Sequence, residues 1–205
     1  MNKKPFSPTL KNKYDFLGKR IAASFFLSTG QYELLVPLNR QIEVYCKRDF
    51  QLWDRKSKDY INIESEVKAN GHWQVHGKWG KYDTVHVPYR KKETSADYVC
   101  IINGMADTLL YVDSFFLKRS RVIIKDTRYQ KNEGFYEFNP RDATFGTIID
   151  GNWWYVTHDG QKINKLGTAL TVLEDVAVTC NGLADKTMSM LGLWTPKTKI
   201  IKVDQ

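Results

Sequence analysis

Apolar and polar residues alternate most regularly between Phe50 and Lys68. Phe50–Asp54 has the pattern of a short strand, and after a turn rich in lysine, serine and aspartate, Tyr60–Val67 has the pattern of its antiparallel partner. One face of the second strand would carry Ile61, Ile63, Ser65 and Val67, and the other would carry Glu64, Glu66 and Lys68. Charged groups about 7 Å apart along one face need water or a ligand between them. We therefore predict a divalent-metal site here, with Asp54 as the acid from the neighbouring strand.

Helical periodicity precedes this hairpin, over residues 14–47. A first helix would end near Gly30, and a second would start at Pro37 and carry Glu43 one step from its apolar stripe. The predicted apolar faces consist of Ile21, Phe25 and Phe26 in the first helix and of Leu38, Ile42 and Tyr45 in the second. Residues 1–13 show no periodicity, and we expect them to form a loose arm.

Further strands are predicted after the hairpin. They cover Thr84–Val87, Asp97–Asn103, Leu109–Val112 and Arg121–Ile124, and the second of them is continuously apolar, as in a strand buried on both faces. Beyond residue 126 the chain has turns, aromatic residues and short apolar runs, and 167–178 is ambiguous between strand and helix. We predict an α/β (α+β) fold with a central mixed β-sheet flanked by helices. An arm (1–13), a core (14–125) and a β-rich C-terminal elaboration (126–205) would form one domain.

Length and composition are those of a globular protein. The chain has 205 residues, of which 42% are hydrophobic and 26% charged, and no apolar run approaches the roughly 18 residues of a membrane span. Its start lacks the apolar region of a signal peptide. Three widely spaced cysteines, Cys46, Cys100 and Cys180, fit reduced thiols better than a disulfide framework. We expect a soluble cytoplasmic protein without a membrane partner.

The net charge narrows the choice of partner. The chain carries 31 Lys and Arg residues against 23 Asp and Glu residues, a formal charge of +8. A basic domain of this kind favours polyanions, above all nucleic acid.

Asp54, Glu66 and Lys68 are residue types suited to phosphodiester hydrolysis. Carboxylates that hold Mg²⁺ supply a Lewis acid and lower the pKa of bound water. A neighbouring lysine can orient or deprotonate that water and neutralise the phosphate.

The spacing of these residues resembles a known motif. Asp54, followed after eleven residues by Glu66-Val67-Lys68, is similar to the core motif of the PD-(D/E)XK nuclease superfamily, which includes restriction endonucleases. The order of helix, hairpin and buried strand over residues 30–115 is similar to that family's core. Trp53 stands where the family name has proline, and the additional Glu64 leaves open whether Glu64 or Glu66 is the primary ligand.

The resemblance implies a restriction-endonuclease-like fold and a deoxyribonuclease, with endonucleolytic action expected. It implies that Asp54 and Glu66, with Glu64 as the alternative, bind Mg²⁺ or Mn²⁺, that Lys68 lies beside the attacking water, and that Glu43 is an auxiliary helical acid. Cutting both strands of a duplex with one site per chain would favour a homodimer.

Two basic clusters are candidates for DNA binding. The sharper consists of Arg90, Lys91 and Lys92, and the second consists of Lys118, Arg119 and Arg121. Trp153, Trp154 and Tyr155 are core material or, alternatively, a platform for stacking on bases.

Two alternatives stay open. Glu64, Glu66 and Lys68 could be the solvated face of an antiparallel strand. The whole chain could be a non-catalytic nucleic-acid-binding or inhibitory protein that uses residues 90–92 and the Trp153 region without chemistry.

Overall fold

Two β-sheets and one long helix make up most of the part of the chain that the structure describes. The structure is a computed structural model, and it describes residues 8–36, 49–68, 73, 75–80, 82–89, 91, 94–127 and 131–169. The larger sheet has eight strands in the order β1 (Tyr32–Val36), β2 (Phe50–Asp54), β3 (Asp59–Lys68), β5 (Tyr98–Asn103), β6 (Thr108–Asp113), β9 (Thr144–Ile149), β10 (Asn152–Val156) and β11 (Lys162–Thr168). The smaller sheet has the order β4 (Val85–Pro88), β8 (Glu133–Phe138) and β7 (Arg121–Lys125).

The larger sheet is mixed. Its strands pair antiparallel except β3 and β5, which are parallel. Parallel neighbours need a long connection, and this one carries β4 into the smaller sheet. The helices are α1 (Pro8–Ser28), α2 (Ser114–Arg119) and a 3₁₀ turn at Pro140–Asp142. The architecture is therefore α+β with a mixed sheet, as predicted.

Strand β3 is covered on both of its faces. Ile63 faces the α1 side, where it packs in one core with Phe25, Phe50 and Cys100. The opposite face of the larger sheet contributes to a second core, which is built from both sheets. That core contains Val99, Ile101, Leu110 and Val112 from the larger sheet and Val85, Val87, Tyr136 and Phe138 from the smaller one.

The second half of α1, over Ile21–Leu27, is almost entirely apolar and is buried accordingly. Ala22, Ala23 and Phe25 are fully buried, and the Phe25 ring lies 5.3 Å from that of Trp153 and meets it edge to face. The indole Nε1–H of Trp153 donates to Ser24 Oγ at 2.9 Å. Gly30, at φ +71°, ends the helical segment because its backbone enters the left-handed region.

Most predicted strands are confirmed, and two predictions near the start are wrong. Residues 8–13, expected as a loose arm, form the first turns of α1, and residues 32–36, expected within a helical region, form β1. The second predicted helix, with Glu43, lies outside the described residues. Strands β9, β10 and β11 extend the same sheet as β3, so the described part of the C-terminal elaboration shares the core sheet.

Two smaller expectations can also be compared with the structure. Among the described helices, none is long and apolar enough to cross a membrane. Cys100 is a free, buried thiol, and burial raises its pKa. Cys46 and Cys180 lie outside the described residues.

The contact between α1 and β9 yields a stability prediction. A Cβ on Gly146 would lie 2.6 Å from Phe25 Cδ2 and closer still to Cε2. Gly146→Ala should therefore lower the free energy of unfolding by about 1–3 kcal/mol, because the buried Phe25 ring has to move. Urea denaturation of Gly146→Ala, Phe25→Leu and the double variant measures the coupling. The double variant should lose clearly less than the sum of the single losses, and strict additivity would contradict the predicted clash.

Candidate functional site

The structure assigns Asp54 a structural role. This residue pairs with Asp59 across the turn between β2 and β3. Its Oδ1 accepts hydrogen bonds from Lys56 N at 2.8 Å and from Gln31 Nε2 at 3.0 Å. Burial raises the pKa of Asp54, but these hydrogen bonds outweigh it and hold the pKa below its ordinary value. Asp54 is thus an ionised acceptor that fixes a turn.

The predicted pairing of Asp54 with Glu66 is wrong. The register places Phe50 opposite Ile63, so β2 ends seven residues away from Glu66 along β3. At about 3.4 Å per residue this separation is roughly 24 Å, far too long for two ligands of one ion. The acid that precedes β2, Asp49, lies at the end of the hairpin that Glu64 and Glu66 occupy.

Asp49 continues the β2–β3 ladder with its side chain. Its backbone N–H donates to Ile63 O at 2.8 Å. Its Oδ2 then accepts from Ser65 N at 2.6 Å and from Ser65 Oγ at 2.7 Å, in place of a further strand residue. Lys19 of α1 brings its ammonium to 3.9 Å from Asp49 Oδ1, and both side chains are almost fully buried.

Glu64 and Lys91 form a second buried ion pair. Their side chains are each 14% exposed, and Lys91 Nζ donates to Glu64 Oε1. Lys91 follows β4 closely, so the crossover that builds the smaller sheet also delivers this ammonium to β3. The sequence predicted Lys91 as a phosphate-gripping residue, whereas here its ammonium is paired with a carboxylate.

Glu66 and Lys68 pair along the same face of β3. Lys68 Nζ donates to Glu66 Oε1 at 2.7 Å, with side-chain exposures of 16% and 22% respectively. In register, Glu66 lies beside Ile101, whose side chain belongs to the core between the two sheets. The predicted sharing of one face by Glu64, Glu66 and Lys68 is confirmed, and that face is largely covered instead of solvated.

The three carboxylates act on one another electrostatically. Burial raises the pKa of Glu64 to about 7, the charges of Asp49 and Glu66 add to this rise, and Lys91 opposes it. Burial also raises the pKa of Asp49, against the charges of Lys19 and Lys91. Burial disfavours the charge on Lys91, but Glu64, Glu66 and Asp49 outweigh it and raise its pKa. The site, which we call the carboxylate–lysine cluster, consists of Asp49, Glu64, Glu66, Lys19, Lys68 and Lys91.

The cluster fits a hard cation with few protein ligands. Within the described residues no three Asp, Glu, His or Cys side chains converge as a ready metal cage. Mg²⁺ usually takes one or two carboxylates and completes its shell with water and substrate phosphate, so it needs no such cage. Burial first, and the charges of Asp49 and Glu66 after it, raise the pKa of Glu64, and a cation nearby would favour the ionised carboxylates as oxygen donors.

The other predicted DNA-binding residues differ in their surroundings. Lys118 Nζ donates to Thr94 O at 3.3 Å, Arg119 lies 5.1 Å from the centre of the exposed Phe115 ring, and Arg121 lies 3.7 Å from Glu137 Oε1. Arg90 and Lys92 lie outside the described residues, as does Glu43.

The aromatic run near residue 154 belongs mainly to the interior. Trp153 is fully buried and packs in the α1 core, while Trp154 is partly buried beneath the Lys162 ammonium at 5.0 Å. Core packing is thus the role of Trp153, and base stacking is not.

Comparison with known proteins adds no assignment. No protein-family model, curated protein or solved structure matches this chain.

The raised pKa of Glu64 predicts how stability depends on pH. In the folded protein this carboxyl titrates near pH 7 instead of 4.5, so the folded state holds a proton that the unfolded state releases. Stability should fall as pH rises from about 4.5 to 7, by up to about 3 kcal/mol. Urea denaturation in EDTA at pH 5 and pH 7 measures this loss.

Glu64→Gln isolates the contribution of this carboxyl, since the amide still accepts from Lys91. Its loss of stability between the two pH values should be less than half that of the wild type. Glu33→Gln, at an exposed position of β1, is the matched control and should behave as the wild type. An equal loss in Glu64→Gln and wild type would contradict the assignment.

Proposed function

We propose that this chain is a divalent-metal-dependent deoxyribonuclease whose active site is the carboxylate–lysine cluster. The observation that carries the proposal is that Asp49, Glu64 and Glu66 lie together at one end of the β2–β3 hairpin and that each is paired with a lysine. Three acids and three lysines at one end of β3, in a chain of charge +8, suit a site where a phosphate and a cation meet.

The order of elements supports the same proposal. Helix α1 is followed by the antiparallel strands β1, β2 and β3, and then by a crossover to β5, parallel to β3. This order resembles the PD-(D/E)XK core, with one acid on the second core strand and (D/E)-x-K on the third. In that pattern the acid ends the second strand, so Asp49, which precedes β2, would replace Asp54 from the other end of the strand, while Glu66-Val67-Lys68 matches the third strand.

Each residue then has a role in hydrolysis. Asp49 and Glu66, with Glu64 beside them, would hold Mg²⁺ or Mn²⁺, which when bound supplies Lewis-acid charge and a water of lowered pKa. Lys68, 2.7 Å from Glu66, would orient the attacking water and neutralise the phosphoryl oxygens. Lys91 holds the Glu64 carboxylate in place, and Lys19 does the same for Asp49. Water attacks phosphorus, the P–O bond to the leaving oxygen breaks, and that oxygen takes up a proton.

Cleavage assays on supercoiled, linear and single-stranded DNA, with Mg²⁺ or Mn²⁺ and with EDTA, test the proposal. Asp49→Asn, Glu66→Gln and Lys68→Met should each lower the cleavage rate at least about 100-fold, because each removes a charge beside the reacting phosphate. Asp54→Asn is the matched control. It should keep the rate within about threefold and lose only about 1 kcal/mol of stability, since it weakens a turn.

Circular dichroism and thermal unfolding confirm that each variant is folded. Full cleavage by folded Asp49→Asn, or abolished cleavage by folded Asp54→Asn, would refute the site. DNA binding without any metal-dependent cleavage would instead favour the alternative of a non-catalytic nucleic-acid-binding protein. Of the residues expected to serve that alternative, Lys91 is paired with Glu64 and Trp153 is buried, so the exposed Lys118, Arg119 and Arg121 would have to contribute to it.

A further inference from the structure

A row of polar side chains crosses the smaller sheet on the face turned away from the core. His86 pairs in register with Glu137, and Glu137 with Arg121. His86 Nε2 is 2.8 Å from Glu137 Oε2, and Lys125 Nζ is 2.8 Å from His86 Nδ1. Alternate residues of a strand share a face, so Lys125 lies on the same side as Arg121. One lysine, one histidine and one glutamate are thus joined in a chain of hydrogen bonds.

The chain of hydrogen bonds fixes the tautomer of His86. A lysine ammonium can only donate, so Nδ1 of His86 must be the acceptor. The ring proton therefore sits on Nε2, where it is donated to the Glu137 carboxylate. Glu137 thereby orients the imidazole, and the imidazole orients the ammonium of Lys125.

Among the residues that the structure describes, no carboxylate is paired directly with the Lys125 ammonium. Its ammonium bonds a neutral ring nitrogen and lies 4.8 Å from the centre of the Phe135 ring. The nearest acid of the row, Glu137, is engaged by His86, Thr84 and Arg121. Glu137 is therefore connected to Lys125 only through His86. The His86 ring lies between the two side chains and sets the position of the ammonium.

His86 lies close in sequence to a residue of the carboxylate–lysine cluster. Strand β4, which carries His86, leads within a few residues to Lys91 on Glu64. Burial lowers the pKa of Lys125, the charge of Lys68 lowers it further, and Glu137 and Glu133 oppose both effects. The geometry that points to an anion is that of Lys125 itself: it lies exposed on β7, and its ammonium is held in place by the His86 ring.

We propose that Lys125 contacts a phosphate of the bound DNA, and that His86 and Glu137 are positioning residues for it. This inference rests on the proposed function for the identity of the substrate. The outer face of the smaller sheet would then be a surface that holds the DNA backbone, with Lys125 as its contact point. Phosphate contacts of this kind fix register and orientation and carry no base specificity.

Binding of a fluorescein-labelled DNA duplex, measured by anisotropy in Ca²⁺ over a range of salt concentrations, tests the inference. Lys125→Met should weaken binding about 3- to 10-fold and reduce the slope of log K against log salt by about 1, because one phosphate contact is lost. Lys125→Arg should restore most of the slope. Lys165→Met, an exposed lysine on β11 at the far edge of the larger sheet, is the charge-matched control and should leave the slope unchanged.

A double-mutant cycle tests the positioning role of His86. His86→Leu should weaken binding less than Lys125→Met does, and the double variant should bind no more weakly than Lys125→Met, because the histidine acts only through the lysine. Additive effects, an unchanged slope in Lys125→Met, or no DNA binding by the wild type would each overturn the inference. Absence of cleavage with the predicted binding pattern would refute the nuclease proposal alone, so the two failures are distinguishable.

Discussion

Burial of β3 on both faces is the constraint from which the rest of the site follows. Helix α1 covers one face, and on the other the side chains of Glu64, Glu66 and Lys68 are only 14–22% exposed, so the charged residues of this strand have little access to water. A buried carboxylate is tolerated only when a cation and hydrogen bonds compensate it. The three lysines of the cluster meet this need from three directions: Lys19 from α1, Lys68 from β3 itself, and Lys91 from the crossover after β4.

The alternation of β3 could be predicted from the sequence, whereas its partner acid was misassigned. Ile63 and Glu64 take the faces that their period of two implies, because strand geometry alone determines this. The choice between Asp49 and Asp54 depends on register, which the turn between the strands sets. Counting outward from a tight turn at 55–58 pairs Asp54 with Asp59 and brings Asp49 beside Glu64, so the sequence did contain that signal.

Other parts of the site had no local signal. Lys19 is one of several charged residues in α1, and only the position of α1 against the sheet shows that its ammonium reaches Asp49. Lys91 belongs to a basic run that composition alone associates with phosphate, and its pairing with Glu64 depends on where the crossover passes β3. Likewise, β1 has a sequence compatible with a helix, and pairing with β2 makes it a strand. The positions of Lys19 and Lys91 and the conformation of β1 thus all depend on contacts between segments that are distant in sequence.

The balance of charges links the stability of this fold to the chemistry proposed for it. Removing one member of a buried ion pair leaves the other uncompensated, at a cost of about 3–5 kcal/mol, while replacing both members can be nearly neutral. Asp49, Glu64 and Glu66 are matched by three ammonium groups, so the cluster can be buried without a bound cation. Burial, and after it the charges of Asp49 and Glu66, nevertheless raise the pKa of Glu64, so the lysines do not fully offset the cost of ionising this carboxyl. A divalent cation of the kind proposed above would lower that remaining cost, and the same groups would then serve both the stability of the fold and the proposed chemistry.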